Sequence, residues 1–146
     1  MYSLLLFLPR ERTIAVGAWG VRRFAAGSWV YTGRAGRNLA ARLARHANRC
    51  ADGAKRCRWH VDYLREHAVL RRAWCFALAP EEECRVAAAW RTHPAAREAP
   101  ARFGASDCRC AGHLVYLGEG EEVEPPGALR RLAAGGLSLR LSVGGP

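Results

Sequence analysis

The sequence predicts a mixed α/β or α+β fold, in which a small sheet packs against helices. Its 146 residues suit one ordinary domain with a core of its own. Short apolar runs typical of strands come first along the chain, and segments with helical spacing then alternate with further strands. Hydrophobic residues make up 50% of the chain and charged residues 25%. This composition is typical of globular proteins and argues against the disordered and membrane-spanning classes.

We expect three strands near the N-terminus. The run from Ser3 to Leu8 is apolar, and the segment from Thr13 to Trp19 follows it after the charged turn PRER. These two strands are therefore predicted to form a hairpin. The segment AAGSWVYTG supplies the third strand, with Gly27 and Gly33 as its turn residues.

The first helix is predicted to begin after Asn38, whose side chain is of the kind that caps helix N-termini. Leu39 and Leu43 then share one stripe at helical spacing. Three basic side chains share the neighbouring stripe: Arg42, Arg45 and Arg49. His46 follows Arg42 by four residues and lies beside it. One face of the helix is thus expected to pack on the sheet while the adjacent face offers cations.

The second half of the chain is expected to alternate helices and strands. After a polar loop, WHVDYLREH is interpreted as a helix or an irregular turn, and VLRRAWCFAL as a strand. PEEECRVAAAW is a predicted helix, because proline suits a first turn and acids there favour the positive end of the helix dipole. HLVYL is the last predicted strand.

Residues 1–118 form the predicted domain. Residues 119–146 contain an acidic run and then a stretch rich in Gly, Pro, Arg and Leu, which shows no sustained period. We therefore expect the chain to be poorly ordered from about residue 125 onward.

The charge of the chain is strongly basic. The formal net charge of +10 rests on 23 basic residues, of which Lys55 is the only lysine. The segment from Arg34 to Arg58 is especially basic, with Asp52 as its single acid. This asymmetry is expected of a face that binds phosphate groups, so the sequence predicts nucleic acid as the partner. The alternative is a solvated surface in an arginine-rich protein.

The start of the chain and its cysteines bear on location. MYSLLLFLP has no positive region before it and no small-residue cleavage site after it, so it is interpreted as a buried strand rather than a signal peptide. It is also shorter than the roughly 20 apolar residues of a membrane span. The protein is therefore predicted to be cytoplasmic, without a membrane partner and with free thiols. Its six cysteines are Cys50, Cys57, Cys75, Cys84, Cys108 and Cys110.

A Cys-x-Cys-x-x-His sequence offers soft metal ligands. Two earlier cysteines are candidates to complete a four-ligand tetrahedral zinc site with it, so the candidate ligands are Cys108, Cys110, His113, Cys50 and Cys57. The spacing departs from the usual Cys-x-x-Cys pairs, and a supporting role for these side chains is favoured over zinc. A nucleophilic Cys108 is a further alternative, because Arg109 and His113 nearby would lower its pKa.

Two groups of motifs resemble a known family. The turn YTG at 31–33, followed by RAGRNLAAR, resembles the second half of the GIY-YIG nuclease signature, in which a Tyr-x-Gly turn leads into an Asn-Leu-x-x-Arg helix. Of the first half, Gly-x-Tyr, only Tyr2 is in register, and one extra residue separates Tyr31 from Arg42. The chain is also similar to a GIY-YIG-like subgroup sometimes found attached to endonuclease III, through RH, WHVDYL, EC and GASDCRCAGHL. The resemblance covers about residues 2–117.

This resemblance implies a small, mainly antiparallel sheet packed on helices, and a phosphodiesterase that depends on Mg²⁺ or Mn²⁺. It also implies DNA more than RNA as the substrate, and a DNA-repair protein as a partner. The implied site consists of the two signature tyrosines, the phosphate-facing arginine, the residue one helical turn later and the metal-binding glutamate: Tyr31, Tyr2, Arg42, His46 and Glu83.

The chemistry of phosphodiester hydrolysis agrees with these residue types. It needs a positioned water, a base and positive charge near the phosphate. The planar fork of Arg42 binds two oxygens and keeps its charge, and Glu83 would hold a Mg²⁺ that retains most of its waters. A tyrosine has a reference pKa of about 10. A tyrosine base therefore needs its pKa lowered by Arg42, His46 and the metal, and His46 itself is the alternative base.

Further residues are predicted to bind the substrate or to support the site. Basic side chains expected to hold nucleic acid are Arg34, Arg37, Arg45 and Arg49. Supporting candidates from the subgroup motifs are His60, Asp62, Ser106, Asp107, Cys108 and His113. His60 and Asp62 would share a face on a strand but not on a helix.

The leading hypothesis is a structure-selective DNA endonuclease of the repair type. No helix-turn-helix or zinc-finger spacing is present that would read bases directly. The alternatives are a non-catalytic nucleic-acid-binding module that retains the fold, and a zinc-stabilised interaction domain.

Overall fold

The structure is a computed structural model that describes residues 1–53 and 55–132. Its strands are β1 (Tyr2–Leu8), β2 (Arg12–Ala15), β3 (Val21–Phe24), β4 (Gly27–Gly33), β5 (Val69–Cys75) and β6 (Leu114–Tyr116). Its α-helices are α1 (Leu39–Ala47), α2 (His60–Arg65), α3 (Glu83–Trp90) and α4 (Gly127–Leu132). Two 3₁₀ turns, Gly17–Trp19 and Pro80–Glu82, complete the regular structure of the described residues.

A four-stranded antiparallel sheet with the order β5-β1-β4-β6 lies at the centre of the fold. Strand β1 is an inner strand, and nearly all of its side chains are buried. This explains its unbroken apolar run, because helices cover the sheet on both faces. The predicted α+β fold with a mainly antiparallel sheet is confirmed, as are the strands at VLRRAWCFAL and HLVYL and the helix that Asn38 caps.

The predicted hairpin between the first two strands is wrong. Strand β1 pairs with β4, while β2 pairs with β3 in a separate two-stranded sheet. The segment from Thr13 to Trp19 is also not one strand, because it leaves the extended conformation at the Gly17–Trp19 turn. Only Ile14 is buried in β2, so this strand has too little apolar surface to occupy the centre of the sheet.

Two apolar cores lie on opposite faces of the central sheet. Leu4 of β1 joins the core that includes Leu43 of α1 and Leu64 of α2. Its neighbour Leu5 joins the core that includes Trp90 of α3 and residues of α4. The alternation follows from the two-residue period of a strand. Helices α1 and α2 therefore cover one face, and α3 and α4 cover the other.

The prediction of a poorly ordered tail from about residue 125 is wrong as far as residue 132. Helix α4 packs on the second core through Leu129, which is fully buried, and Val123 before it is buried as well. Arg72 of β5 donates to the Val123 carbonyl at 3.3 Å and to the Glu124 carboxylate at 3.0 Å. The rest of the predicted tail, residues 133–146, lies outside the described residues.

No helix within residues 1–53 and 55–132 has both the length and the apolar character that a membrane span requires.

Candidate active site

The two tyrosines predicted for the site lie on adjacent central strands. Tyr2 of β1 pairs in register with Gly33 of β4, and Tyr31 precedes that glycine by two residues on the same strand face. A Cβ atom on Gly33 would lie 2.4 Å from the hydroxyl oxygen of Tyr2. The glycine of the YTG turn therefore makes room for the phenol ring of Tyr2.

A pocket of about 200 Å³ opens beside these tyrosines. It is lined by Tyr2, Tyr31, Arg34, Arg42, Trp59, Glu83, Gly104, Ser106 and Asp107. Four of the five residues predicted for the reaction thus meet in one cavity, although they come from β1, β4, α1 and α3. Ser106 and Asp107, which were supporting candidates, lie on the same wall.

His46 does not line this pocket but lies behind the pocket residues Tyr2, Tyr31 and Trp59. Its ring is buried, and its Nε2 lies 2.7 Å from the Tyr2 hydroxyl oxygen. Burial, with the nearby charge of Lys55, lowers the pKa of His46 to about 3. The imidazole is therefore neutral at pH 7, and Nδ1 has no hydrogen-bond partner among the described residues.

Arg42 and His46, which were expected to lower the tyrosine pKa values together with the metal, do not lower them by themselves. Burial raises the pKa of Tyr2 well above its ordinary value, and the positive charge of Arg42 opposes this only in part. Burial also raises the pKa of Tyr31, with the phenol of Tyr2 as a further cause. Both side chains are therefore neutral phenols in the structure.

Arg42 and Arg45 on α1 contact the same aromatic ring but differ in their other partners. Their guanidinium carbons lie 4.5 Å and 4.4 Å from the centroid of Trp59. Arg45 also donates to the Asp62 carboxylate at 2.7 Å. Arg42 forms no ion pair within the described part of the chain. Arg42 is thus the arginine of this helix that remains available to a phosphate group in the pocket.

The Asp62 carboxylate forms ion pairs with Arg45 and Lys55, and we call these three side chains the Asp62 cluster. The Asp62 carboxylate is fully buried and accepts hydrogen bonds from the backbone N–H groups of Arg58 and Trp59 at 2.9 and 3.0 Å. Lys55, with a side chain only 4% exposed, donates to it at 3.0 Å. Although burial alone would raise the pKa of Asp62, these donors lower it. The predicted site residue Asp62 is therefore a structural anchor for α1 and the start of α2.

His60 lies apart from Asp62, because both belong to helix α2 and a helix places residues two apart on different faces. The Nδ1 atom of His60 accepts a hydrogen bond from the Gly104 N–H group at 3.0 Å, and the ring stacks on Trp19. A Cβ atom on Gly104 would lie 3.0 Å from the Tyr31 ring. His60 thus supports the loop that packs against Tyr31.

Arg65 fixes the far end of α1. Its buried guanidinium donates to the carbonyl groups of His46 and Ala47 at 3.0 Å each, and to Ala68 at 2.7 Å. Carbonyl groups at a helix C-terminus otherwise lack partners. Arg65 therefore holds the helix that presents Arg42 and His46, a role that the sequence reading did not assign.

Glu83 is the first residue of α3, and its side chain is 12% exposed at the pocket wall. Its Oε1 lies 3.0 Å from Nδ1 of His113, and its Oε2 lies 3.4 Å from Nε of Arg34. Arg34 also donates to Asp107 at 2.9 Å. One carboxylate facing a small polar pocket fits a Mg²⁺ or Mn²⁺ ion that keeps most of its waters, provided that Arg34 turns aside.

The four arginines predicted to hold nucleic acid differ in their exposure and in their ion-pair partners. Arg37 is exposed and Arg49 is half-buried, and neither forms an ion pair within the described ranges. Arg34 is paired with acids at the pocket wall, and Arg45 is held in the Asp62 cluster. The open charge of this face therefore comes from Arg37, Arg42 and Arg49.

The cysteines assemble differently from the sequence expectation. Cys50 and Cys57 form a disulfide bond, so the prediction of free thiols is wrong for this pair, and they lie apart from the other cysteines. Cys84 instead joins the soft ligands near the pocket, in a group that we call the thiol cluster: Cys84, Cys108, Cys110 and His113. The sequence did not identify Cys84 as a ligand, although Cys84 belongs to the EC motif on which the family resemblance rests.

A family model described as Domain of unknown function DUF123 matches residues 1–130. The chain belongs to this family. No curated protein and no solved structure matches the chain. The DUF123 match begins at the first residue of the chain and ends within α4, so the pocket, the Asp62 cluster and the thiol cluster all lie inside the DUF123 domain.

Proposed function

We propose that the protein is a GIY-YIG-like endonuclease that hydrolyses phosphodiester bonds in DNA with the help of a divalent metal ion. The observation that carries this proposal is the convergence of Tyr2, Tyr31, Arg42 and Glu83 on one pocket of about 200 Å³. A net charge of +10 supports a polyanionic substrate.

Arg42 is the proposed phosphate ligand. Its guanidinium lies against the Trp59 ring and lacks a carboxylate partner among the described residues, so its donors remain available to the substrate. A planar guanidinium donates to two phosphate oxygens at once. We expect Arg42 to stabilise the charge that develops on the phosphate during cleavage.

Tyr2 and His46 are the proposed route for the proton of the attacking water. A neutral phenol accepts a proton only if its own proton has somewhere to go. The 2.7 Å contact between the Tyr2 hydroxyl and Nε2 of His46 supplies that route, since the imidazole is unprotonated. Its pKa of about 3 also makes it a weak acceptor, so it holds the proton only transiently. The water proton passes to the Tyr2 oxygen while the Tyr2 proton passes to Nε2. Tyr31 lies beside this path and orients the water.

Glu83 is the proposed ligand of Mg²⁺ or Mn²⁺. When bound, the ion would supply positive charge to the phosphate and lower the pKa of a coordinated water. Oε1 of Glu83 lies 3.0 Å from Nδ1 of His113, although the two atoms do not have the geometry of a hydrogen bond. Asp107 draws the guanidinium of Arg34 toward the pocket rim and so provides a place for that cation when Glu83 binds the ion.

The proposed substrate is DNA recognised by its shape, and the proposed setting is repair in the cytoplasm with a repair protein as partner. The exposed basic residues beside the pocket would contact the backbone rather than the bases. Such contacts carry no sequence information, which favours branched or damaged DNA over a defined sequence.

The test is cleavage of supercoiled plasmid, branched DNA and structured RNA with Mg²⁺ or Mn²⁺, using wild-type protein, Arg42→Ala, Tyr31→Phe and Glu83→Gln. Glu81→Gln is the matched control, because Glu81 is a neighbouring acid that is exposed and does not line the pocket. We expect cleavage by the wild type and the control, and a loss in the three pocket variants. Equal cleavage by all five proteins would contradict the proposed site.

A second candidate is a nucleic-acid-binding module that does not cut. Two observations favour it: both tyrosines are neutral phenols, and the Glu83 carboxylate already has His113 and Arg34 as partners. Binding that weakens steeply with salt, without cleavage of any substrate, would support the module, because counterion release sets the salt dependence of phosphate contacts.

A further inference from the structure

The thiol cluster collects four soft ligand atoms at one point. The three Sγ atoms and one ring nitrogen all lie within 4.8 Å of one another. Nε2 of His113 lies 3.6 Å from Sγ of Cys84 and 3.5 Å from Sγ of Cys108, and the sulfurs of Cys108 and Cys110 lie 3.5 Å apart. None of these cysteines is in a disulfide bond.

These separations match a tetrahedral site. A Zn²⁺ ion with bonds of about 2.3 Å to sulfur and about 2.0 Å to nitrogen holds its ligand atoms about 3.5 to 3.8 Å apart. Three of the six separations in the thiol cluster are therefore close to those around one ion, and the other three lie within 4.8 Å. Three cysteines and one histidine form a complete ligand set, which is typical of a structural zinc site rather than a catalytic one with an open position.

The thiol cluster also joins two separate parts of the fold, helix α3 and a later loop. Cys84 belongs to α3, whereas the other three ligands lie in a loop that has little regular secondary structure. That loop is held by hydrogen bonds from Arg102 N–H to the Ala111 carbonyl and from His113 N–H to the Phe103 carbonyl, both at 2.7 Å. An ion bound by the cluster would tie this loop to α3, and the same loop carries the pocket residues Gly104, Ser106 and Asp107.

The surroundings of His113 fit a metal-bound imidazole. Its ring is buried, its Nε2 faces the sulfurs, and its Nδ1 lies 3.0 Å from the Glu83 carboxylate. Histidines that bind zinc through one ring nitrogen commonly direct the other toward a carboxylate, which fixes the tautomer and the ring orientation. Glu83 therefore connects the cluster to the pocket.

We propose that Cys84, Cys108, Cys110 and His113 bind one Zn²⁺ ion, which fixes the loop of residues 104–113 on α3 and, through His113, orients Glu83 at the pocket. The zinc site itself does not rest on the proposed nuclease activity, since it would exist in a non-catalytic binding module as well.

The test is the metal content of the full chain purified without added metal, measured by elemental analysis. We expect about one zinc ion per chain, as for a complete ligand set, and loss of most of it in Cys108→Ser and Cys110→Ser. The double variant Cys50→Ser/Cys57→Ser is the matched control. It removes two cysteines that lie outside the thiol cluster and should keep its zinc.

A spectroscopic measurement on the wild type avoids dependence on variants that fail to fold. Reduced, metal-free protein titrated with Co²⁺ should develop a thiolate-to-cobalt charge-transfer band and the intense visible bands of tetrahedral cobalt, saturating at about one equivalent. Added Zn²⁺ should abolish these bands. Absence of both zinc and the tetrahedral cobalt spectrum would overturn the proposal, as would zinc loss in the Cys50/Cys57 variant or the absorption of an iron–sulfur cluster in the isolated protein.

Discussion

Helix α1 contributes one arginine to each of two groups of charged side chains, and the two arginines have different partners. In the pocket, Arg42 lies against Trp59 without an ion-pair partner among the described residues. In the Asp62 cluster, Arg45 lies against the same ring but donates to a fully buried carboxylate. Both arginines come from one basic stretch of sequence, only three positions apart.

The difference lies in the acid rather than in the arginine. Removing a carboxylate from water is costly unless its hydrogen-bonding capacity is satisfied. Asp62 therefore needs Arg45, Lys55 and two backbone N–H groups, and these cations are committed to the fold. In the pocket, no buried acid among the described residues pairs with Arg42. Counting charges along a sequence thus overestimates the number of cations that are free to bind a ligand.

The largest expected effect is the loss of the acid in the Asp62 cluster. Asp62→Ala leaves Lys55, which is 4% exposed, without a carboxylate and should lower the free energy of unfolding by about 3–5 kcal/mol. Urea denaturation followed by circular dichroism measures this. Asp52→Ala, at an exposed acid, is the control and should change the stability little. A loss below about 1 kcal/mol for Asp62→Ala would show that the cluster is not structural.

The next effect separates the two arginines. Under the proposed function, Arg42→Ala should reduce the rate of DNA cleavage by about 100-fold, because one preorganised donor to the reacting phosphate is worth about that much, and should leave the stability nearly unchanged. Arg45→Ala should do the reverse, lowering the stability by about 1–3 kcal/mol since a charged hydrogen bond to a buried acid is lost. Cleavage rates and urea unfolding of both variants provide the measurement. If the two variants had the same cleavage rate and the same free energy of unfolding, Arg42 and Arg45 would not have the different roles assigned to them.

A smaller effect is expected from Gly33→Ala. The added Cβ would lie 2.4 Å from the Tyr2 hydroxyl oxygen, and such overpacking costs about 1–3 kcal/mol. Because Tyr2 must move, the cleavage rate should fall as well. Gly36→Ala is the matched control, since a Cβ there would meet nothing within 4 Å. If Gly33→Ala folds and cleaves as well as Gly36→Ala, Tyr2 does not need its present position.

The smallest effect near neutral pH is a pH dependence from His46, because it develops only as the pH falls below 6.5. Its pKa is about 3 in the folded chain and 6.5 ordinarily, so between these values the unfolded chain binds a proton that the folded chain does not. The free energy of unfolding should therefore fall as the pH drops from 6.5 toward 3, by at most about 1.4 kcal/mol per pH unit from this group. The contribution is complete above pH 6.5.

His46→Gln should flatten that slope, as measured by urea denaturation at a series of pH values. His67→Gln, which removes an exposed histidine, should keep it. An unchanged slope in His46→Gln would mean that His46 is not held neutral by the fold.

Much of the fold was predictable because it rests on local patterns. The apolar run of β1 and the capping side chain of Asn38 are properties of neighbouring residues, and both predictions are confirmed. The hairpin prediction is wrong because strand pairing depends on how much apolar surface each strand must bury. Strand β2 exposes most of its side chains, so the buried β1 pairs with the later strand β4 instead.

The candidate site was predictable as a set of residue types but not as an arrangement. The motifs named Tyr2, Tyr31, Arg42 and Glu83, and the structure places all four on one pocket. They did not show that His46 would be buried behind Tyr2, because the burial of a ring depends on contacts from several elements. The motifs also did not show that Cys84 would lie beside the other soft ligands, because α3 and the later loop meet only in the folded chain.

The sequence by itself determined the elements, the basic charge and the kinds of reactive side chain that the protein carries. Only the tertiary structure decided which of those side chains remain available. Among the described residues Arg42 has no ion-pair partner while Arg45 is committed to Asp62, and Cys84 joins His113 while Cys50 joins Cys57. The physical reason is that burial and pairing depend on groups far apart along the chain, and their cost is set by the surroundings that the fold creates.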